Sequence, residues 1–303
     1  MYFYAGRKVT YDDDEEDIGE LWKSDGTKAG TVKVTDAKIT RMTAAGDDLY
    51  FIDGEGDLWT SDGTAKGTRR LMQPAAPFGQ FIPTSRGMYF TLETDHPGDT
   101  LTDIDLYFTD GTPTGTRHLG QFLEDLVGYS SRRDDPFEDN DGNLFFIANT
   151  EEYGPELWTS DGTPQGTRLV RDIRKGTESS NPSSLITHDG LAYFFANDGK
   201  NGPKLWRSNG KPNGTRIVKN FSLDDDLKYS PHLALASLAG GIVYTKYSNS
   251  YEIWFGDEKD GFRSLGKSSV APRSPLAWAH HDGKFLFAAH HPIYHTELWQ
   301  ADL

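Results

Sequence analysis

The chain of 303 residues contains no cysteine, which excludes disulfide bonds, zinc–thiolate sites and thiol nucleophiles. It has no apolar run long enough to span a membrane, and MYFYAGRKVT at its start lacks the pattern of a signal peptide. Basic residues are in the minority, with 31 Lys and Arg against 46 Asp and Glu, which gives a net charge of −15. This charge disfavours binding to nucleic acid or to anionic lipid. We therefore expect neither nucleic-acid binding nor membrane insertion.

Apolar residues are also scarce, at 36% of the chain, but aromatic residues reach 13% and glycines number 32. Aromatic side chains bury large areas with few residues, and glycines mark turns. No stretch shows the 3.6-residue apolar period of a helix. The composition indicates a folded all-β protein with many turns and a thin, aromatic core.

Seven aromatic landmarks recur along the chain, each directly after Leu or Ile. They are Trp22, Trp59, Tyr107, Trp158, Trp206, Trp254 and Trp299. Seven landmarks in one chain give about 43 residues per unit, which is the period of propeller blades. The units run near residues 1–36, 37–75, 81–120, 134–173, 182–221, 231–266 and 274–303.

Each unit divides into four short β-type runs, which we call A, B, C and D. Dipeptides such as Asp189-Gly190 and Asn209-Gly210 tolerate the positive φ of tight hairpin turns. The first unit lacks run A and the last lacks run D. We predict a single domain over residues 1–303: one seven-bladed β-propeller of four-stranded antiparallel blades, with three strands in the first and last units.

The phrase ELWTSDGT at residues 156–163 recurs as ELWKSDGT at 20–27 and as DLWTSDGT at 57–64. We expect its Leu and Trp to fill the space between sheets and its Asp-Gly-Thr to form the C–D turn. We also expect the Arg after the following Gly-Thr, as at Arg69, to pair with the turn Asp. A phrase that recurs along the chain indicates scaffold rather than a catalytic motif.

This phrase resembles that of the ELWxxDGT repeat family, and the match covers almost the whole chain. The resemblance implies a bacterial β-propeller, often secreted or surface-associated, although the absence of a signal peptide leaves a cytoplasmic location open. The family implies little about activity.

Antiparallel alternation places the B–C and D–A loops at one end of each blade, and these loops differ from unit to unit. Function therefore belongs at that end. Candidate ligand-binding residues there are Asp12, Asp13, Asp14, Glu15, Glu16, Asp17, Asp224, Asp225, Asp226, Tyr229 and Tyr294. Two interpretations of the acidic residues stay open, a Ca²⁺ site built from hard oxygen ligands and a solvated rim. No other cofactor is expected.

Five of the nine histidines fall in the last unit. His280 and His281 precede the A–B turn, and His290 and His291 follow run B. The two pairs are therefore about 20 Å apart, since a strand rises roughly 3.3 Å per residue. His290, His291 and His295 are candidates for one metal site, and the alternative is that they are exposed loop histidines.

No nucleophile elbow and no phosphate loop is found. We therefore predict that the chain is not an enzyme but a monomeric binding scaffold. Its acidic loop face is expected to bind a protein or a carbohydrate (glycan) partner. The alternative is a propeller-type hydrolase or lyase with its site at the central channel.

Overall fold

The computed structural model describes most of the chain. The described residues are 2–11, 14–74, 76–95, 102–123, 137–139, 141–200, 202–219, 235–238, 240–247, 251–257, 259–268, 278–281, 284–291 and 295–302. The chain divides into two compact units, one formed by residues 1–124 and 161–167 and the other by residues 125–160 and 168–303. The prediction of a single domain stays a prediction, and each unit is described by itself.

The first compact unit contains two antiparallel sheets, numbered 1 and 2 in chain order. Sheet 1 has the order β1-β2-β3-β4-β5-β6, and sheet 2 has the order β10-β9-β8-β7. Their strands are β1 (Tyr2–Tyr11), β2 (Asp14–Lys23), β3 (Val32–Ala45), β4 (Asp48–Asp53), β5 (Leu58–Ser61), β6 (Arg69–Met72), β7 (Phe78–Thr84), β8 (Gly87–Asp95), β9 (Thr102–Thr109) and β10 (Arg117–Leu123).

The second compact unit contains sheets 3 to 6, in which neighbouring strands follow the order of the chain. Sheets 3 and 4 consist of β11 (Phe137–Glu138), β12 (Leu144–Ala148), β13 (Glu156–Ser160), β14 (Arg168–Leu169), β15 (Ser183–His188), β16 (Leu191–Asn197), β17 (Pro203–Ser208) and β18 (Arg216–Lys219). Sheets 5 and 6 consist of β19 (Leu235–Leu238), β20 (Gly241–Tyr247), β21 (Tyr251–Asp257), β22 (Gly261–Ser268), β23 (Trp278–His281), β24 (Lys284–His291) and β25 (His295–Asp302).

The structure confirms the all-β class and the four-stranded antiparallel sheet as its repeating element. The one helical element in the described residues is a 3₁₀ turn, Pro212–Gly214. None of the described helical residues forms a helix long and apolar enough to cross a membrane.

Sheet 1 differs from the prediction, because the first two repeat units share one sheet of six strands. Strand β3 pairs with β2 up to Ile39 and with β4 from Ile39 onward, so run D of the first unit continues directly into run A of the second. No glycine or proline interrupts VKVTDAKITRMTAA, so nothing in that stretch ends the extended chain. The connection between sheets 3 and 4 does contain Gly176 and Pro182, and there the strands are separate.

The strand formed by run B is buried on both faces in sheets 3 and 4. In β16, Phe194 belongs to a core with Phe145 and Leu157 of sheet 3, whereas Phe195 packs with Tyr244 of sheet 5 and with its neighbours. Successive side chains of a strand point to opposite faces, so one strand serves two interfaces. The first strands also lie beside one another in succession, β11 by β15, β15 by β19 and β19 by β23. Within the second compact unit, the sheets are therefore stacked face to face in chain order.

The C–D turns repeat one hydrogen-bond pattern, which explains why the sequence phrase recurs. At Asp62, the carboxylate Oδ1 accepts the Thr64 N–H at 2.8 Å and the Thr64 hydroxyl at 2.7 Å. Thr64 Oγ1 in turn accepts the N–H of Gly67 at 3.0 Å. A Cβ at Gly67 would lie inside the carboxylate of Asp62, so the second Gly-Thr needs its glycine. The equivalent bonds form at Asp25, Asp110 and Asp161.

The arginine after the second Gly-Thr has a different partner from the one that the sequence suggests. Arg69 Nε donates to the carbonyl oxygen of Gly111 at 3.0 Å, in the Asp-Gly-Thr turn of the next repeat unit. The expected pairing of Arg69 with its own turn Asp is therefore wrong. The reason is that the turn carboxylate is already used by the turn threonine, so the guanidinium ties neighbouring units together instead.

Candidate functional site

Part of the predicted ligand-binding set lies outside the described residues. These residues are Asp12, Asp13, Asp224, Asp225, Asp226, Tyr229 and Tyr294. The proposal that they bind a ligand stays a prediction.

The other acidic candidates, Asp14, Glu15, Glu16 and Asp17, lie in strand β2 and not in a loop. Their backbones pair with β1, where Tyr11 stands opposite Asp14 and Lys8 opposite Asp17. Acidic residues have low β-propensity, which is why the sequence favours a loop here. The β-branched and aromatic residues of the partner segment, YFYAGRKVTY, provide a template that extends the hairpin.

The histidine candidates lie at the hairpin between β24 and β25. His290 and His291 end β24, His295 begins β25, and the backbones of His291 and His295 stand opposite each other. His280 and His281 pair with the opposite end of β24. This register places the two histidine pairs at different ends of the strand, as expected. The side chains of these histidines lie outside the described part of the structure, so a metal site at His290, His291 and His295 stays a prediction. Among the side chains that the structure describes, no group of three or more metal-binding residues is arranged to hold a metal ion.

A more informative position lies two residues before each landmark aromatic residue; we call it the ELW acid position. In the first three units it pairs with a cation on run D. Glu20 lies 3.5 Å from Lys33, Asp57 lies 2.8 Å from Arg70, and Asp105 Oδ1 lies 2.7 Å from His118 Nε2. In each case the cation stands opposite the landmark residue in the strand register.

The pair in the third unit is chemically distinct because its cation is an imidazole. His118 is half exposed, at 47% for its side chain, while Asp105 is 20% exposed. The ring of Tyr107 packs on that of His118, with the centroids 5.0 Å apart. A carboxylate and an aromatic ring thus fix the orientation of an accessible imidazole.

The fourth unit departs from the pattern, because Leu169 stands opposite Trp158 where the earlier units have a cation. Its ELW acid, Glu156, is completely buried. Oε1 accepts the Arg174 N–H at 3.0 Å, and Oε2 accepts the Ser180 hydroxyl at 2.7 Å. Burial raises the pKa of Glu156 to about 7, against the opposing effect of these hydrogen bonds.

Glu156 and His118 are absent from the residues singled out by the sequence analysis, where the repeated phrase indicates scaffold. The sequence does carry a signal for both. The second residue after the second Gly-Thr is Lys33, Arg70, His118, Leu169 and Ile217 in the first five units. Comparing this position between units shows where the paired cation changes its chemistry and where it is lost.

No family model matches the chain, and no curated protein matches it significantly. Among solved structures, the chain resembles dipeptidyl peptidase 4 of Porphyromonas gingivalis with a TM-score of 0.57 and 8% identity. That match covers 99% of this chain and 48% of the peptidase. An identity this low shows the fold alone, and the solved relatives are β-propeller-type proteins. The chain therefore has a β-propeller-type fold.

Two further structures are similar at lower scores. A puromycin hydrolase S511A mutant complexed with PGG has a TM-score of 0.46 and 15% identity, over 98% of this chain and 52% of its own. An oligogalacturonate lyase in complex with manganese has a TM-score of 0.47 and 12% identity, over 94% of this chain and 83% of its own. The chain spans about half the length of the peptidase and of the hydrolase.

The prediction that the chain is not an enzyme is wrong. It rested on the absence of a recognised catalytic motif, whereas the solved structure with which the chain shares its fold is that of a peptidase. Propeller sites combine residues from separate blades, so a single contiguous motif is not needed for activity.

Proposed function

We propose that the chain is a propeller-type hydrolase or lyase that acts on a peptide or a glycan. We further propose that its seven repeat units close into one seven-bladed propeller, with the first and last units side by side. The observation that carries the enzymatic part is the pair formed by His118 and Asp105.

This pair has the geometry of a general acid–base unit. When the imidazole is neutral and its Nε2–H donates to Asp105 Oδ1, at 2.7 Å, the lone pair of Nδ1 is left to accept a proton. The carboxylate fixes the tautomer and stabilises the imidazolium that forms. Lys33 and Arg70, at the same position in sister units, provide only a fixed positive charge. The third unit therefore carries a group suited to proton transfer at a place where its sisters carry a structural ion pair.

The chemistry that suits such a unit is hydrolysis or β-elimination. In hydrolysis the imidazole takes a proton from the attacking water and returns it to the amine or alcohol that leaves as the scissile bond breaks. In elimination it takes a proton from the carbon next to a carboxyl group, a double bond forms to the β-carbon, and the β-oxygen leaves as an alcohol that the imidazolium protonates. The net charge of −15 favours substrates that carry positive charge or none. Neutral glycans and basic peptides are therefore the substrates to examine first.

The test is turnover by the purified chain on chromogenic amides of basic peptides and on neutral glycans. We expect activity in one class, and we expect His118→Gln to lower kcat by roughly 10²- to 10⁴-fold, the usual contribution of a general acid–base group. His188→Gln is the matched control, because His188 has a side-chain partner of its own, Ser237 at 3.0 Å, in another unit. A chain without turnover, or a His118 variant as active as the parent, would refute the proposal.

A further inference from the structure

The connection between sheets 3 and 4, residues 170–182, has no regular secondary structure, yet it is tied to its surroundings at several points. Val170 and Ile173 are buried in the core. Ser179 donates to the carbonyl of Pro155 at 3.2 Å, and the carbonyl of Ser180 accepts the N–H of Asn197 at 2.8 Å. We call this connection segment 170–182.

Glu156 is the side chain that holds the middle of this segment. It is the first residue of β13, and its two oxygens accept hydrogen bonds from residues 174 and 180, six positions apart in the segment. Glu156 and Ser180 are both completely buried. One carboxyl group thus joins the beginning of a strand to two points of the neighbouring segment.

We propose that Glu156 is a proton-dependent latch that holds segment 170–182 closed against the start of β13. In the closed state the carboxyl group is desolvated, which favours its neutral form. When the segment opens, water reaches the carboxyl group and the charged form is no longer penalised. Loss of the proton therefore favours opening, and uptake of the proton favours closure.

The surroundings of Glu156 contain no charge that cancels this effect among the described residues. On one neighbouring strand, Ala148 stands opposite Glu156. On the other, Leu169 stands opposite the landmark Trp158. Asp172 raises the pKa of Glu156 through its own negative charge. Arg174 contributes its backbone N–H to Glu156, while its side chain pairs with Glu178 at 2.6 Å. Lys175 pairs with Asp172 at 3.3 Å.

The sister positions show what the latch requires. Glu20, Asp57 and Asp105 stand beside Lys33, Arg70 and His118, so they are held as ion pairs along the strand and not by a neighbouring connection. At Glu156 the cation is replaced by Leu169, and the carboxyl group turns to the segment for its partners. The combination of a buried acid, a missing cation and a segment that donates two hydrogen bonds is specific to this unit among the first four.

The pH dependence follows from linkage between proton binding and opening. The carboxyl pKa is about 7 when closed and takes the ordinary value of 4.5 when open. Between these two values the closed state holds a proton that the open state has released, so opening becomes roughly tenfold more favourable per pH unit. Above pH 7 both states are ionised, and the opening equilibrium no longer changes.

Amide hydrogen exchange on the intact chain tests the latch. Protection factors, corrected for intrinsic exchange, would be measured from about pH 5.5 to about pH 8.5, above the isoelectric point near 5.0. For the N–H groups of Ile173, Arg174 and Asn197 we expect a fall of about tenfold per pH unit up to pH 7 and a level line above it. Low concentrations of urea should leave their exchange unchanged, because the opening is local.

Two variants make the test specific. Glu156→Gln keeps an acceptor for Arg174 N–H but cannot ionise, so its protection factors should be high and independent of pH. Glu151→Gln removes an exposed charge outside segment 170–182, so it should behave as the parent does. A flat profile in the parent, an unchanged slope in Glu156→Gln, or segment amides that exchange only together with buried amides of β16 would each overturn the proposal.

Discussion

Replacing Trp206 by alanine tests how the landmark residues hold neighbouring sheets together. Trp206 is 4% exposed and packs in the core shared by sheets 3 and 4. Its indole N–H donates to the carbonyl oxygen of Ala196 at 3.0 Å, and the guanidinium of Arg171 lies 5.6 Å from the ring centroid. The substitution therefore removes a buried ring, a hydrogen bond and a cation–π contact in one step.

The expected cost follows from these contacts. Truncating a buried tryptophan costs roughly 3–5 kcal/mol, and the buried carbonyl left without its donor adds to this. A folded domain is stable by only about 5–15 kcal/mol, so the variant should lose a large fraction of its stability. The midpoint of thermal unfolding should fall by roughly 6–20 °C, at about 2–4 °C per kcal/mol for a large domain.

Urea unfolding followed by circular dichroism measures this loss. Trp206→Phe is the control, because it keeps most of the buried area and should recover more than half of the loss. Trp254 is only partly buried, so Trp254→Ala should cost less than Trp206→Ala. A Trp206→Ala variant within about 1 kcal/mol of the parent would show that the landmark does not carry the packing between sheets.

Three further substitutions test the turns, the link between units and the buried acid. Gly67→Ala should cost roughly 1–3 kcal/mol in urea unfolding, because its Cβ displaces the carboxylate of Asp62, while Lys66→Ala should change nothing. Arg69→Met should cost roughly 1–3 kcal/mol by the same measurement, since the carbonyl of Gly111 in the next turn loses a charged donor. An unchanged free energy of unfolding would show that this hydrogen bond does not stabilise the fold. Glu156→Gln should match the parent near pH 5 and be more stable above pH 7, by up to about 3 kcal/mol, because the parent loses stability as pH rises from 4.5 through about 7. A stability difference that does not depend on pH would contradict the assignment of the buried charge.

The repeat made most of the fold predictable from the sequence. The landmark spacing and the hairpin dipeptides predict the four-stranded sheets, and runs such as Leu144-Phe145-Phe146 are buried on both faces as expected. The sequence did not predict that run D of the first unit and run A of the second form one strand, β3. Such continuity depends on the lack of a glycine or proline between the two runs, which marks no boundary in the sequence. The partner of Arg69 escaped it because that hydrogen bond joins residues 42 positions apart.

The candidate site was much less predictable. Counting acidic residues directs attention to Asp14–Asp17, which belong to a strand, and away from acids inside the repeated phrase. The chemistry of Asp105 and Glu156 depends on the residue that stands opposite the landmark two positions further on, His118 opposite Tyr107 and Leu169 opposite Trp158. That relation is visible in the sequence only after the register of the strands is known. The repeat pattern alone therefore did not show that the third unit pairs its acid with a histidine and that the fourth unit has no cation for its acid.

The proposal that seven units close into one propeller is tested most directly by distances between spin labels. The chain has no cysteine, so single cysteines at exposed positions Lys28, Thr114 and Lys259 can be labelled specifically. These positions lie at the C–D ends of the first, third and sixth units. In a closed ring of seven, the first unit is two steps from the third and also two steps from the sixth. We therefore expect similar label distances for 28–114 and 28–259; a much longer distance for 28–259 would mean that the chain is an open stack and would contradict the account.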